Sequence, residues 1–479
     1  MEVIGRKREI DELQQLYQSR KPEFVALYGR RRVGKTYLVK ELFSGKFTFW
    51  HTGMSPYDRD GKYLLRDQLQ AFLYSLQDYG YSGTDIPKTW LEAFRLLELL
   101  LNEKDNGERM LIFIDELPWM DTPRSRFIPA FEHFWNSFSA KHNNVMLIVC
   151  GSATAWMMDN VVNNKGGLYN RLNTEIMLSP FTLAECEQFF QYQGITMSRY
   201  EIAQAYMVFG GVPHYLSLFD KRLSLPQNID HLLFDKNAKL GNEFDRLFGS
   251  LFKNAGDHEK VVRLLASRRC GFTRSEILSA TDIKDGGGAS EILLGLEASQ
   301  FICKYKPFGE SKIDTYRLSD PFCLFYLHFL DGKSNIDNHF WQNNYNSPRL
   351  NTWRGLAFED LCFSHLEQIK SALGIAGINS TASSWIMRDE TGKPTSQIDM
   401  LIQRSDNNIN LCEIKFCAEA YNIDKAYDAT LRGRLQRLIS LVPVRQTVKL
   451  TLITTFGIKR NEYSGQVQNE IILDDLFRH

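Results

Sequence analysis

Gly29-Arg30-Arg31-Arg32-Val33-Gly34-Lys35-Thr36 follows the apolar run Phe24-Val25-Ala26-Leu27-Tyr28 and precedes a helix-like segment that begins near Lys35. The octet satisfies the phosphate-loop pattern G-x-x-x-x-G-K-[ST] at every fixed position. Gly29 and Gly34 let the backbone wrap an anion so that N–H groups point inward. The helix that follows adds its positive N-terminal end. Lys35 is placed to reach the β- and γ-phosphates of a nucleotide, and Thr36 to offer its hydroxyl to Mg2+. A plain Gly-rich strand–helix turn would share the glycines. The agreement of strand, loop and helix around the full pattern favours the phosphate reading.

Such a domain needs a carboxylate on a second strand, and Met110-Leu111-Ile112-Phe113-Ile114-Asp115-Glu116 supplies it. The unbroken apolar run reads as a buried parallel strand. Asp115 falls at its C-terminal end, where open α/β sheets bind ligands, and is expected in the Mg2+ shell. Glu116 is placed to polarise the attacking water as a general base. Alone, an Asp-Glu pair after a strand is an ordinary helix N-cap; the phosphate loop upstream shifts the reading towards chemistry. Val145 to Cys150 reads as a further strand, ending in Gly151-Ser152. Ser152 is expected beside the γ-phosphate, although in isolation it would equally be a turn serine. Phe47 to Trp50 reads as another strand, and Leu64 to Leu76 and Trp90 to Leu101 as helices covering the sheet.

Composition bounds the rest. The 479 residues suffice for three or four domains. The chain carries 57 basic and 57 acidic residues, so no overall field announces a nucleic acid or a membrane, while a local basic groove stays compatible. Eight cysteines lie scattered without a C-x-x-C pair, which argues against a zinc cluster or disulfide framework and for reduced thiols. No apolar stretch approaches a membrane span, and Met1 to Glu9 lacks a signal core. The expected setting is cytoplasmic, with no membrane partner.

Ile4-Gly5-Arg6, the phosphate loop, Ile114-Asp115-Glu116, Gly151-Ser152, Leu178-Ser179-Pro180-Phe181 and Gly210-Gly211-Val212-Pro213 occur in an order that resembles the archaeal-type ATPases, a prokaryotic branch of the AAA-like and STAND P-loop ATPases. The resemblance implies ATP and Mg2+ as cofactors, Gly5 and Arg6 bordering the adenine, and the Gly210-Gly211-x-Pro213 turn in a helical lid. It matches Arg171 to a position near the phosphates, where an arginine stabilises transferred charge from its own or a neighbouring subunit. A homo-oligomer is compatible with that, and a plain surface arginine is an equal alternative. Arg30, Arg31 and Arg32 have no assigned role.

His258 to Arg268, the Gly271-Phe272-Thr273 turn, a helix with Ile277 and Leu278, the Gly286-Gly287-Gly288 break, a helix over Ser290 to Leu296, and strands Phe301–Tyr305 and Thr315–Leu318 give the winged-helix order. Its third helix could enter a major groove, yet charge is balanced here and many such modules only pack against neighbours. Leu318 to Tyr326 again matches the family, and its aromatic pattern reads as a core helix linking the ATPase to the tail.

In the tail, Gln397-Ile398-Asp399-Met400-Leu401-Ile402 and Asn410-Leu411-Cys412-Glu413-Ile414-Lys415-Phe416 read as a hairpin across a polar turn. Residues two apart share a strand face, so Glu413 and Lys415 point the same way and Asp399 can meet them. Two carboxylates can hold a divalent cation and an ammonium can position water. The spacing is weak alone, and Glu310-Ser311-Lys312 repeats it in a polar loop without an upstream Asp. Context raises the tail triplet, because polar groups interrupt two β-rich strands. Gly355 to Cys362 resembles the opening helix of the restriction-endonuclease-like, PD-(D/E)XK, superfamily. That resemblance implies Glu359 as a further metal ligand with Asp399 and Glu413, Mg2+ or Mn2+ as the metal, and Glu413 and Lys415 as catalytic groups acting on DNA. RNA stays open. His365 and His479 are unassigned.

The expected fold is α/β. It comprises a P-loop NTPase parallel sheet (1–178), a helical lid (179–252), a winged-helix domain with its linking helix (253–332), and a C-terminal α/β restriction-endonuclease-like domain (345–479). The expected function is ATP hydrolysis controlling a metal-dependent nuclease-like tail. The alternative is a STAND-type ATP-driven switch whose nuclease-fold tail is catalytically silent and used for binding.

Overall fold

The computed structural model describes residues 3–55, 65–249, 251–252, 255–309, 313–333, 337–388 and 394–478. Leu64, Glu310-Ser311-Lys312 and His479 lie outside them. The chain divides into two compact units. One comprises Met1–Ser179, Arg246–His258 and Ser290–Gln300, and the other Pro180–Asp245, Glu259–Ala289 and Phe301–His479. No helix among the described residues is long and apolar enough to cross a membrane.

The first unit is built on β1 (Glu23–Tyr28), β2 (Phe47–Thr52), β3 (Met110–Asp115), β4 (Val145–Gly151) and β5 (Thr174–Met177). All neighbours pair parallel, in the order β2-β3-β4-β1-β5. β1, β3 and β4 are buried along their full length, which is why their sequences run apolar without alternation. Phe72, Trp90, Phe94 and Phe131 pack on one face, and Leu13, Leu38, Val39 and Phe43 on the other. The helices Leu65–Asp78, Trp90–Lys104 and Phe127–Ser139 supply most of the first layer.

This order positions the site. β4 stands between β1 and β3, so Gly29, Ser152 and Asp115-Glu116 leave three adjacent strands at the same end, about 5 Å apart per strand. Gly29 has φ +143°, and a Cβ there would stand 2.3 Å from the Leu178 carbonyl oxygen. The loop can turn at that point only without a side chain.

Along the chain beyond, the helices Ala255–Ala266, Arg274–Thr281 and Gly287–Ala298 precede β7 (Ile302–Tyr305) and β8 (Thr315–Leu318). Two details differ from the sequence reading. Phe272–Thr273, expected as a turn, is a short strand, β6, paired with β8. Gly287 and Gly288, expected to break the chain, open a helix instead; first-turn N–H groups have no intrahelical partner, so glycine costs little there.

The tail carries a mixed sheet of β9 (Ser380–Arg388), β10 (Pro394–Arg404), β11 (Asn408–Lys415), β12 (Thr447–Thr454) and β13 (Asn469–Ile472), ordered β13-β12-β11-β10-β9. β9, β10 and β11 pair antiparallel, and β11, β12 and β13 parallel. The Lys425–Leu441 helix makes the crossover from β11 to β12, capped by Asp424 accepting the Tyr427 N–H at 2.8 Å. Its Leu431 and Leu438 join the core of Leu401, Leu411, Leu450 and Leu452.

His365 is a structural residue. It is buried, its Nε2 accepts the Leu183 N–H at 3.1 Å, and its Nδ1 lies 3.0 Å from the Leu361 carbonyl oxygen. The ring is therefore neutral with its proton on Nδ1. Burial pushes its pKa down to about 4, and that of buried His51 to about 3, from 6.5. The unfolded chain protonates both near pH 6.5 while the native state does not. Stability should therefore be full above that pH and fall as pH drops towards the native values, by on the order of 3 kcal/mol per histidine. Urea unfolding at pH 7 and pH 4.5 checks this: His365→Gln should lose less stability on acidification than the parent chain. Equal losses would contradict the assignment.

Candidate functional site

The phosphate loop forms because left-handed turns at Arg32 (φ 72°) and Gly34 (φ 92°) swing the chain into the Lys35–Leu42 helix. Lys35 is buried, and its Nζ donates to the carbonyls of Gly29 at 2.8 Å and Arg30 at 2.9 Å. The ammonium thus sits inside the loop, where an entering phosphate oxygen competes with two neutral carbonyls for it. Thr36 Oγ1 donates to Asp115 Oδ2 at 2.8 Å, which joins the helix start to the end of β3.

Glu116 follows with φ 49°. Its carboxylate accepts the Ser152 N–H at 3.1 Å and the Ser152 hydroxyl at 2.8 Å. Ser152 is buried, so the end of β4 holds the Glu116 side chain. Burial raises the Glu116 pKa, against the lowering pull of Lys35 and the Ser152 hydrogen bonds. A carboxylate made more basic by burial is suited to accept a proton from water.

Gly5 precedes Arg6, and Arg6 reaches this loop. Both have positive φ, Arg6 is buried, and its Nη2 donates to the Val33 carbonyl at 3.3 Å. The Arg171 side chain is exposed on the turn before β5. Gly210 and Gly211 both have positive φ and close the Arg199–Phe209 helix, while Pro213 opens the next one.

In the tail, Met400 pairs with Cys412, which sets Asp399 opposite Glu413. Lys415 Nζ lies 3.7 Å from Asp399 Oδ2 and 3.8 Å from Glu413 Oε2. Asp399 Oδ2 also accepts the Ile414 N–H at 2.9 Å. Glu359, on the Pro348–Ser364 helix, joins them: burial first, and then the charge of Asp399, push its pKa up to about 7. Burial and Asp399 also raise the pKa of Glu413, which is 0% exposed.

Two groups here were not anticipated from the sequence. Tyr427 donates its hydroxyl to Glu413 Oε2 at 2.9 Å, and Arg434 forms a short ion pair with the same carboxylate. They stand seven residues apart on one helix, two turns along the same face. That spacing was readable, but nothing local said that the face would meet β11.

Oxygen donors are what hard cations take. At the first site the Thr36 hydroxyl and the Asp115 carboxylate fit Mg2+ on those grounds. At the second, Glu359, Asp399 and Glu413 have suitable donor chemistry, but Arg434, Tyr427 and Lys415 occupy Glu413. No three His, Cys, Asp or Glu side chains among the described residues gather as a group able to hold a metal ion. As arranged, Glu413 is engaged by Arg434, Tyr427 and Lys415.

A family model described as an ATPase domain predominantly from Archaea matches residues 4–219. An uncharacterized protein of Methanocaldococcus jannaschii is 23% identical over 372 residues, 76% of this chain and 77% of the relative. An uncharacterized ATP-binding protein of the same organism is 42% identical over 43 residues, 9% of this chain and 73% of that protein. Among solved structures, a Walker-type ATPase of Pyrococcus abyssi covers 68% of this chain and 96% of its own, at 18% identity and a TM-score of 0.46. At that likeness the strand order, rather than the overlay, carries the fold. Through residues 4–219 the chain carries an ATPase domain of the type found predominantly in Archaea.

Proposed function

We propose that this chain is a Mg2+-dependent ATP hydrolase whose nucleotide state controls a nuclease-type C-terminal domain acting on DNA. At the first site the inward N–H groups of the loop take the phosphates. Lys35 exchanges the Gly29 and Arg30 carbonyls for phosphate oxygens. Glu116, held by Ser152, orients the attacking water and accepts its proton. Mg2+ held by Thr36 and Asp115 would neutralise charge on the transferred phosphate. Arg171, exposed on this chain, would complete such a site in a neighbouring copy.

The observation that carries the tail reading is the Lys415 ammonium within 3.8 Å of both the Asp399 and Glu413 carboxylates on two paired strands, with Glu359 coupled to them. Release of Arg434 from Glu413 is the opening that the nucleotide state would govern. The test is plasmid DNA incubated with the protein, ATP and Mg2+ or Mn2+. Nicking that needs both ATP and the divalent cation is expected. Its absence under every nucleotide condition would contradict the nuclease reading.

One observation favours a second reading. Glu413 is buried and fully engaged by Arg434, Tyr427 and Lys415, as a structural ion-pair network would be. The chain would then be an ATP-driven switch with a silent tail, and a nucleotide-dependent change in hydrodynamic size without nicking is its expected signature.

A further inference from the structure

The Glu116 turn is braced by an element outside both site motifs. Glu116 sits in the left-handed region at φ 49°, uncommon for a residue with a side chain. Its carbonyl accepts the Trp119 N–H at 2.9 Å, within the short helix Leu117–Met120. The Trp119 carbonyl accepts Gln68 Nε2 at 3.0 Å. That same nitrogen donates to the Met54 carbonyl at 2.8 Å, and Gln68 Oε1 accepts the Met54 N–H at 3.2 Å. Next to Met54, the Gly53 N–H donates to the Asp115 carbonyl at 2.9 Å. A Cβ on Gly53 would stand 2.7 Å from the Glu116 carbonyl oxygen. The segment leaving β2 thus lies against Asp115-Glu116, and Gln68 ties both together.

Gln68 is 0% exposed, on a helix whose neighbouring Leu69 and Phe72 are core residues. An amide buried among apolar side chains is costly unless its hydrogen bonds are made. A leucine would fill the position at less cost. What only the glutamine adds is a fixed distance between the Met54 backbone and the Trp119 carbonyl, and so a fixed turn under Glu116.

We propose that Gln68 is a positioning residue for ATP hydrolysis, setting through Trp119 and Met54 the turn from which Glu116 addresses the attacking water. This rests on the reading of Glu116 as the general base. It makes the effect of Gln68 conditional: once residue 116 cannot accept a proton, its orientation ceases to matter.

The test uses the full chain in four forms: parent, Gln68→Met, Glu116→Gln, and the double substitution. Methionine fills the space without the amide. Steady-state kcat and KM for ATP are measured, together with the residual single-turnover rate on labelled ATP. Gln68→Met should lower kcat on the order of 10- to 100-fold with KM unchanged, and the double variant should be no slower than Glu116→Gln alone. The same fold-loss in both backgrounds, or a loss confined to KM, would overturn the proposal while leaving the role of Glu116 intact. Parent-like turnover by Glu116→Gln would remove the general base and this proposal together. If Gln68→Met does not fold, Gln68→Leu, which also removes the donors to Met54 and Trp119, carries the same test, and the same kcat-selective loss is expected.

Discussion

Lys35→Ala should abolish ATP turnover, with a loss on the order of a thousandfold or more. Lys35 is buried, and its two partners belong to its own loop. Its removal takes the positive charge from the place where a triphosphate would lie. The loop backbone itself is set by Gly29 and Gly34, so the variant should fold. Glu116→Gln separates binding from chemistry: the amide can still accept the Ser152 hydrogen bonds but cannot take a proton, so ATP should bind and persist. Phosphate release and nucleotide-binding assays on both variants check this. Turnover by Lys35→Ala within roughly tenfold of the parent would contradict the assignment.

Lys415→Ala should abolish DNA cleavage and leave ATP turnover intact. Lys415 is part-exposed, at 28% of its side chain, and Arg434 and Tyr427 still engage Glu413 without it, so the variant should fold. Asp399→Ala should have the same functional outcome at a greater structural cost, because Asp399 also accepts the Ile414 N–H. Loss of that hydrogen bond to a charged group is worth about 2 kcal/mol. Thermal unfolding alongside a nicking assay separates the two effects. Cleavage surviving both substitutions would refute the roles given to these residues.

The features legible in the sequence were those written locally. The phosphate loop announces itself because strand, glycines, lysine and helix are consecutive. Asp115 and Glu116 stand out because a fully buried parallel strand has no polar residue until it ends. Asp399, Glu413 and Lys415 follow from the two-residue period of strands, which sets Glu413 and Lys415 on one face whatever the rest of the fold does. The structure brings those three together by pairing Met400 with Cys412. The strand order did not follow from local pattern. β4 comes to lie between β1 and β3 through a pairing with β1 across a long stretch of chain, Glu23 to Met146, and that order sets Ser152 against Glu116. Arg434 and Tyr427 were missed for the same reason, since only the crossover of their helix turns them towards Glu413. Gln68 looked like one polar position among apolar ones. Its meaning lies in backbone groups of Met54 and Trp119, which no side-chain pattern reveals. Arg171 was read by resemblance as a phosphate neighbour, and it lies exposed on the turn before β5.

In the proposed function two separate sites work within one chain, one on a triphosphate and one on a phosphodiester. The direct measurement is a crossed assay of ATP turnover and plasmid cleavage, made on the parent, Lys35→Ala and Asp399→Ala proteins in the same Mg2+ buffer. The parent should do both, Asp399→Ala should hydrolyse ATP at the parent rate without cutting, and Lys35→Ala should do neither because cleavage depends on nucleotide. A Lys35→Ala protein that cuts DNA as well as the parent would sever the proposed control, and a parent that turns over ATP but never cuts would leave the tail cluster a structural ion-pair network.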